Sequence, residues 1–228
     1  MMACASKNGI DLRMDEGVLE HVQGEHRADW KRKKTLDPRG PPQAVVRNHR
    51  LALFGIRPIL TRSMSEEIFD VVDENDAVVG QATRREVHRR DLRHRAVHVL
   101  IFNHRGEVFL QQRSLSKDNW PGVWDSSSSG HLDAGEAYDA CCLREVGEEL
   151  GVTLTSVPER LFKLEAEPET GWEFCWVYRA IHEGPFILQA SEVRGGDFFS
   201  LQAVTDWIAA RPDDFASAFR VLWRRIVL

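Results

Sequence analysis

The stretch that decides the fold is GHLDAGEAYDACCLREVGEELGV, residues 130–152. Its second half, Ala137–Leu150, is rich in residues that favour helices, and Gly151 follows at the position where a left-handed backbone commonly ends a helix. Its first half carries Gly130 and Gly135, where the backbone can approach a ligand closely because no side chain intervenes. The pattern therefore predicts a loop that leads into one strong helix.

Three glutamates of this helix form a candidate cation site. Glu145 and Glu149 are four residues apart and so share a helix face, and Glu148 lies three residues from Glu145. Stacked carboxylates repel one another unless a cation lies between them, and oxygen ligands suit hard divalent ions such as Mg²⁺ or Mn²⁺. Arg144 can pair with a carboxylate and hold it ionised and oriented. The spacing alone leaves a solvated acidic helix face as the alternative.

Outward from this segment, strands and turns alternate on both sides of the helix. The predicted strands are Ile68–Val72, Ala77–Ala82, Ala96–Asn103, Glu107–Arg113, a short strand within Val123–Gly130, Leu161–Glu165 and Glu173–His182. A short polar helix is predicted at Thr83–Arg90, and an apolar stripe predicts helix over Leu201–Leu228. Strands before and after a helix indicate a mixed sandwich of the α+β or α/β class.

The composition is that of a globular protein. Of 228 residues, 43% are hydrophobic and 29% are charged, and no window approaches the roughly 18 unbroken apolar residues of a spanning helix. We therefore expect no membrane role. The four cysteines show neither a CxxC motif nor the spacing of a zinc site, which favours a reducing, cytoplasmic environment.

Charge divides the chain into two parts. Residues 1–63 carry a net charge of +5, and residues 64–228 carry −10. The basic run Lys31–Lys34 precedes the helix-breaking segment Asp37–Pro42. We therefore predict that residues 1–63 are an extension that is poorly ordered or outside the physiological protein, and that 64–228 form the folded domain. The acidic domain argues against nucleic-acid binding.

Residues 130–152 resemble the Nudix box, G-x5-E-x7-R-E-U-x-E-E-x-G-U, in which U is apolar. The fixed positions are filled by Gly130, Glu136, Arg144, Glu145, Glu148, Glu149 and Gly151, and the apolar ones by Val146 and Val152. The resemblance covers about Ile68 to the C-terminus and implies the Nudix fold, a mixed β-sheet sandwiched between helices. It also implies that Glu145 and Glu149 bind a divalent cation. Glu148 would be a further ligand or base, and Arg144 would orient the glutamates.

Three segments beside the box resemble type I isopentenyl-diphosphate isomerases and their Nudix relatives. They are Arg93–Val97, Gln111–Lys117 and Trp120–Trp124. The resemblance implies that Arg113 and Lys117 bind a diphosphate, and that Glu173 is an outer metal ligand or base. It leaves His131 open as a metal ligand or a loop imidazole, whereas His94 and His98 are interpreted as structural.

One position departs from the isomerases. They carry a cysteine just before the Gly-His that matches Gly130-His131, and this chain has Ser129 there. A serine hydroxyl cannot readily replace a thiol acid–base, because its pKa lies far above the roughly 8.5 of cysteine. The isomerases also carry a degenerate box, whereas this one is intact. Both differences favour hydrolase chemistry on an isomerase-like scaffold.

The sequence therefore predicts a Mg²⁺- or Mn²⁺-dependent hydrolase that uses metal-activated water to cleave a diphosphate linkage in a small-molecule or nucleotide substrate. The residues predicted to act are Arg144, Glu145, Glu148 and Glu173 in catalysis, Glu145, Glu148 and Glu149 on the cation, and Arg113, Lys117 and Gly130 on the substrate. Two alternatives stay open: an isopentenyl-diphosphate isomerase-like enzyme, and a non-catalytic Nudix module that binds a nucleotide or a partner. The pattern does not name the substrate, and homodimer formation also stays open.

Overall fold

The computed structural model describes residues 66–227. The predicted extension, residues 1–63, lies outside the described residues. In chain order the elements are β1 Ile68–Val72, β2 Val78–Thr83, α1 Arg84–Arg89, β3 His94–Phe102, β4 Val108–Arg113, β5 Trp124–Asp125, β6 Ser128–His131, α2 Tyr138–Leu150, β7 Glu159–Leu164, β8 Glu173–Ile181, β9 Val193–Phe199, α3 Leu201–Ala210 and α4 Ser217–Ile226. No helix within residues 66–227 is long and apolar enough to cross a membrane.

The centre of the main sheet is β3. It pairs in parallel with β8 along its whole length, which places His94 directly opposite Glu173. On its other side, β3 is antiparallel to β6 over its first half and to β4 over its second half. The remaining pairs of this sheet, β4 with β5 and β9 and β7 with β8, are antiparallel. The sheet is therefore mixed, as predicted.

Alternate residues of β3 divide the core between two faces of the sheet. Val97, Val99 and Ile101 pack against α2, whereas Ala96 and Leu100 pack against α3 and α4. This period of two is the period of strand side chains, and helices cover both faces. The structure thus confirms the predicted sandwich of helices around a mixed sheet.

The C-terminal part of the chain differs from the prediction in two places. Helix over Leu201–Leu228 is interrupted, because Pro212 lacks an amide hydrogen and starts a short 3₁₀ turn between α3 and α4. The strand β9 has no counterpart in the predicted elements, since Gly195 and Gly196 weaken the strand pattern. A side chain at Gly196 would collide with the ring of Phe109 on the paired strand, so the glycine is what lets β9 join the sheet.

The strands β1 and β2 form a separate two-stranded hairpin. At its tip, the carboxylate of Asp76 accepts hydrogen bonds from three side chains: Arg95 Nε at 2.6 Å, Tyr138 OH at 3.0 Å and Lys163 Nζ. Nearer its base, Asp70 accepts a hydrogen bond from the amide of Gly135, at 2.8 Å. The hairpin is therefore tied both to the main sheet and to the loop that leads into α2.

Candidate active site

The residues predicted to act line one cavity of about 1110 Å³. They are Arg113, Lys117, Gly130, Arg144, Glu145, Glu148, Glu149 and Glu173. The residues that line the cavity come from the start of the hairpin, the loop after β4, the strand β6 and the helix α2. The structure thus brings together residues from separate segments of the chain, and their contacts define two clusters within the cavity.

The first cluster, the glutamate wall, consists of Glu145, Glu148 and Glu149 on α2. Arg144 holds it in place, because Nη1 donates to Glu145 at 2.6 Å and to Glu148 at 3.2 Å. The same guanidinium donates two hydrogen bonds to Glu136, at 2.9 and 2.7 Å. A planar guanidinium suits such a task, since its donors point in fixed directions. Arg144 therefore orients the carboxylates around it.

Two positions of the box require glycine for different structural reasons. Gly130 faces Glu145, and any side chain at position 130 would overlap the carboxylate of Glu145. Gly151 ends α2 in the left-handed conformation, with φ of 66°, as the sequence predicts. Gly130 thus leaves room for a carboxylate, and Gly151 fixes where the helix that carries it ends.

The electrostatics of the glutamate wall fit a cation. Burial raises the pKa of Glu145 to about 8, and the neighbouring carboxylate of Glu149 adds to this effect. Burial likewise raises the pKa of Glu149 to about 7, although Lys117 opposes the shift. Buried carboxylates that share a site are costly to ionise together unless a positive charge compensates. An all-oxygen set of this kind suits Mg²⁺ or Mn²⁺.

The second cluster, the histidine wall, consists of His88, His94, His131 and Glu173. Ligand atoms of the three histidines all lie within 4.8 Å of one another. His131 Nε2 is 2.9 Å from Glu173 Oε1, and His94 Nε2 is 3.6 Å from the same oxygen. Within the described part of the chain, Nε2 of His88 and of His94 are buried without a hydrogen-bond partner. Unpartnered imidazole nitrogens beside a carboxylate fit a transition-metal ion such as Zn²⁺ or Mn²⁺.

The histidine wall carries less charge than the glutamate wall. Burial lowers the pKa of His131 to about 4, so the ring is neutral at pH 7. Burial would raise the pKa of Glu173, but His131 and His94 hold it well below its usual range. His94 Nδ1 lies 2.9 Å from the carbonyl oxygen of Leu92, an acceptor, so Nδ1 carries a proton. Nε2 of His94 is buried and faces Glu173.

The strand β6 lies between the two walls. Gly130 and His131 are neighbours on β6, so they point to opposite faces of the strand. Gly130 faces Glu145, and His131 contacts Glu173. Sequence reasoning interpreted His94 as structural and did not consider His88, because no local spacing connects these residues with Glu173. The pairing of β3 with β6 and β8, which joins them, is a tertiary feature.

The two predicted phosphate ligands line the cavity with protein partners of their own. Arg113 donates to the carbonyl oxygens of Trp120 and Asn119, at 3.1 and 3.0 Å, and lies 3.3 Å from Asp125. Lys117 forms an ion pair with Glu192. Arg113 therefore shapes the loop after β4 that carries Lys117. The ammonium of Lys117 has three donors, so one ion pair leaves it able to bind a further anion.

Comparisons with known proteins identify relatives of this chain. A NUDIX domain model matches residues 92–219. A Nudix hydrolase of Streptomyces coelicolor is 41% identical over 134 residues, which are 58% of this chain and 73% of that protein. The isopentenyl-diphosphate Delta-isomerase 1 of Photorhabdus laumondii is 31% identical over 163 residues, which are 69% of this chain and 93% of that protein.

Among solved structures, the crystal structure of DR0079 from Deinococcus radiodurans has a TM-score of 0.57 at 30% identity and covers 63% of this chain and 90% of its own. This structure supports the fold, and the domain match spans more than half of the chain and includes the whole box. The chain belongs to the Nudix hydrolase family.

Proposed function

We propose that this protein is a divalent-cation-dependent hydrolase that cleaves a diphosphate linkage in a small-molecule or nucleotide substrate. The observation that carries the proposal is the glutamate wall, in which Glu145 and Glu149 are buried together and Arg144 orients Glu145 and Glu148. A module that only binds a partner has no use for carboxylates whose burial is this costly. A catalytic cation explains why the protein buries these carboxylates despite the free-energy cost, because the buried carboxylates would bind that cation.

Each residue of the glutamate wall has a proposed role. Glu145 and Glu149 bind the cation, Glu148 is a further ligand or the general base, and Arg144 keeps the carboxylates oriented. When bound, Mg²⁺ or Mn²⁺ would neutralise the charge that develops on the diphosphate and would lower the pKa of a water molecule bound to the ion. Glu148 is half exposed, so it can reach solvent and exchange a proton during turnover.

The substrate end of the cavity is assigned to Lys117 and Arg113. Lys117 presents a point charge that can be shared between Glu192 and a phosphate oxygen, whereas Arg113 fixes the loop on which Lys117 stands. Gly130 serves the site by leaving space for the carboxylate of Glu145. Glu173 is proposed as an outer metal ligand or base on the histidine wall, which His131 joins as a ligand.

The hydrolase proposal is tested with a substrate panel in the presence of Mg²⁺. Nucleoside diphosphate sugars, dinucleotide polyphosphates, oxidised nucleotides, isoprenoid diphosphates and thiamine diphosphate are supplied, and the products are identified. We expect Mg²⁺-dependent cleavage of at least one compound between two phosphorus atoms. No Mg²⁺-dependent cleavage across the whole panel would favour a non-catalytic binding module instead.

The histidine wall favours a second candidate, an isopentenyl-diphosphate isomerase-like enzyme. His131 and Glu173, two positions that the resemblance to the isomerases also involves, lie within hydrogen-bond distance of each other, and hydrolysis on the glutamate wall does not require this pair. Ser129 opposes this candidate, because a hydroxyl is a poor proton donor and acceptor at neutral pH.

A paired assay separates the two candidates. Phosphate release and the ratio of the isopentenyl and dimethylallyl isomers are measured for the parent protein and for Ser129→Cys. We expect hydrolysis in both proteins, and no isomerisation in the parent. Isomerisation by the parent without hydrolysis of any substrate would reverse the assignment.

A further inference from the structure

A buried amide contacts one of the proposed cation ligands. Gln111 lies on β4 with only 1% of its surface exposed, and its Nε2 donates to Oε2 of Glu149 at 3.1 Å. The backbone amide of Ser129 donates to the same oxygen at 3.0 Å. Two donors from two different strands, β4 and β6, therefore hold Oε2 of Glu149 in position.

The chemistry of the pair determines which way the amide points. An ionised carboxylate only accepts hydrogen bonds, so the nitrogen of Gln111 must face Glu149 and its oxygen must point away. Across residues 66–227, Oε1 of Gln111 is buried without a hydrogen-bond partner. A buried acceptor without a partner typically costs about 1–3 kcal/mol. An apolar side chain of similar size would avoid that cost, so stability alone does not account for a glutamine at this position.

The neighbouring residue shows what a glutamine on β4 does without a cation ligand nearby. Gln112 faces the other side of the strand, is half-buried, and donates from Nε2 to the carbonyl oxygen of Gly122 at 2.9 Å. That contact supports a loop. The contact of Gln111 goes instead to a carboxylate on α2, which belongs to the glutamate wall.

We propose that Gln111 is a positioning residue that orients the carboxylate of Glu149 for binding a divalent cation. This inference rests on the proposed function, because it assumes that Glu149 is a cation ligand. Partners of metal-binding carboxylates commonly set the affinity of a site, and their loss typically weakens metal binding by about 10–100-fold.

The test measures Mg²⁺ binding to the full chain by isothermal titration calorimetry, without substrate. Mg²⁺ is the probe because it prefers oxygen ligands and so reports on the glutamate wall rather than on the histidine wall. Gln111→Met keeps the length of the side chain and removes its donor. We expect the Mg²⁺ dissociation constant to rise about tenfold, with a melting temperature close to that of the parent.

Gln112→Met is the matched control, since it makes the same change one residue away on the opposite face. We expect it to leave the Mg²⁺ dissociation constant unchanged. If both variants weaken Mg²⁺ binding equally, or if neither does, the positioning role is wrong. Gln111→Asn retains an amide but shortens the side chain by one methylene, so it provides the same test should the methionine variant not fold.

The experiment separates this inference from the proposed function. A parent protein that binds Mg²⁺ in a Gln111-dependent manner but cleaves no diphosphate would retain the positioning role and lose the hydrolase assignment. A parent that cleaves diphosphates, with unchanged Mg²⁺ affinity in Gln111→Met, would do the reverse. A parent that does not bind Mg²⁺ at all would overturn both.

Discussion

The glutamate wall and the histidine wall lie on opposite sides of one strand, yet the chain builds them differently. All three carboxylates of the glutamate wall lie within one helix, between Glu145 and Glu149. The histidine wall draws its four residues from α1, β3, β6 and β8. The glutamate wall therefore follows from the spacing of residues along one helix, whereas the histidine wall forms only when the sheet brings its residues together.

The two walls also balance their charges differently. The carboxylate of Glu149 raises the cost of ionising Glu145, and the positive charges of Arg144 and Lys117 oppose the ionisation cost of Glu145 and Glu149, respectively. On the histidine wall, an ionised Glu173 already accepts a hydrogen bond from a neutral His131. We therefore expect the glutamate wall to need an added cation for charge balance, whereas the histidine wall is closer to balance without one.

The largest expected effect comes from the glutamate wall. Glu149→Gln keeps the shape of the side chain and removes a charge, so kcat should fall by about 100-fold or more while the fold stays intact. Steady-state kinetics at saturating Mg²⁺ measure this. Glu159→Gln on the exposed side of β7 makes the same change away from the cavity and should retain activity. Near-native kcat in Glu149→Gln would refute its assignment as a ligand.

The next effect distinguishes the walls by the metal they bind. His131→Ala removes one of three clustered imidazoles, so the affinity for Zn²⁺ should fall by at least about tenfold. The affinity for Mg²⁺ should stay unchanged, because the glutamate wall is intact. Calorimetric titrations with both ions measure the two affinities, and His104→Ala, an exposed histidine, is the control. Equal losses for Zn²⁺ and Mg²⁺ would mean that the two walls are one site.

The walls should also respond to pH with opposite signs. In metal-free protein, Glu145 and Glu149 titrate near 8 and 7 when folded but near 4.5 when unfolded, so stability is lost as pH rises toward 8. His131 titrates near 4 when folded and near 6.5 when unfolded, so its contribution increases as pH rises to 6.5 and is constant above it.

Between pH 6.5 and 8 only the glutamate wall is then expected to change, and the free energy of unfolding should fall by on the order of 2 kcal/mol. Thermal melts in a chelator measure this, and excess Mg²⁺ should remove most of the dependence. Glu145→Gln should reduce the slope. A melting temperature that rises over this interval would contradict the charge balance inferred for the two carboxylates.

The smallest expected effect concerns the hairpin behind the histidine wall. Phe69 on β1 stacks on the ring of His131 with 4.7 Å between centroids, and Asp76 anchors the tip of that hairpin. Asp76→Asn should therefore cost about 1–1.5 kcal/mol of stability and weaken Zn²⁺ binding less than His131→Ala does. Melting curves and Zn²⁺ titrations measure both effects. Glu74→Gln in the same turn is exposed and should change neither.

Sequence reasoning succeeded where the signal is local. The helix Ala137–Leu150 is observed as Tyr138–Leu150, and the strand Ile68–Val72 is observed as predicted, because spacing and capping determine such elements. It failed where neighbours in space decide the structure. The strand β9 depends on Gly196 fitting against Phe109, and the grouping of His88 with His94 depends on how α1 packs beside β3.

The strand β6 has a consequence for how this protein can change over generations. Because the side chains of adjacent residues point to opposite faces of β6, an insertion or deletion within 128–131 would exchange the two faces and damage both walls at once. A substitution at Ser129, Gly130 or His131 instead changes a side chain on one face of β6. It therefore alters the contacts of one wall and leaves those of the other wall unchanged. If the proposed roles of the two walls hold, single substitutions on β6 can alter one wall while the other is maintained, so we expect related proteins to diverge in activity at this short strand.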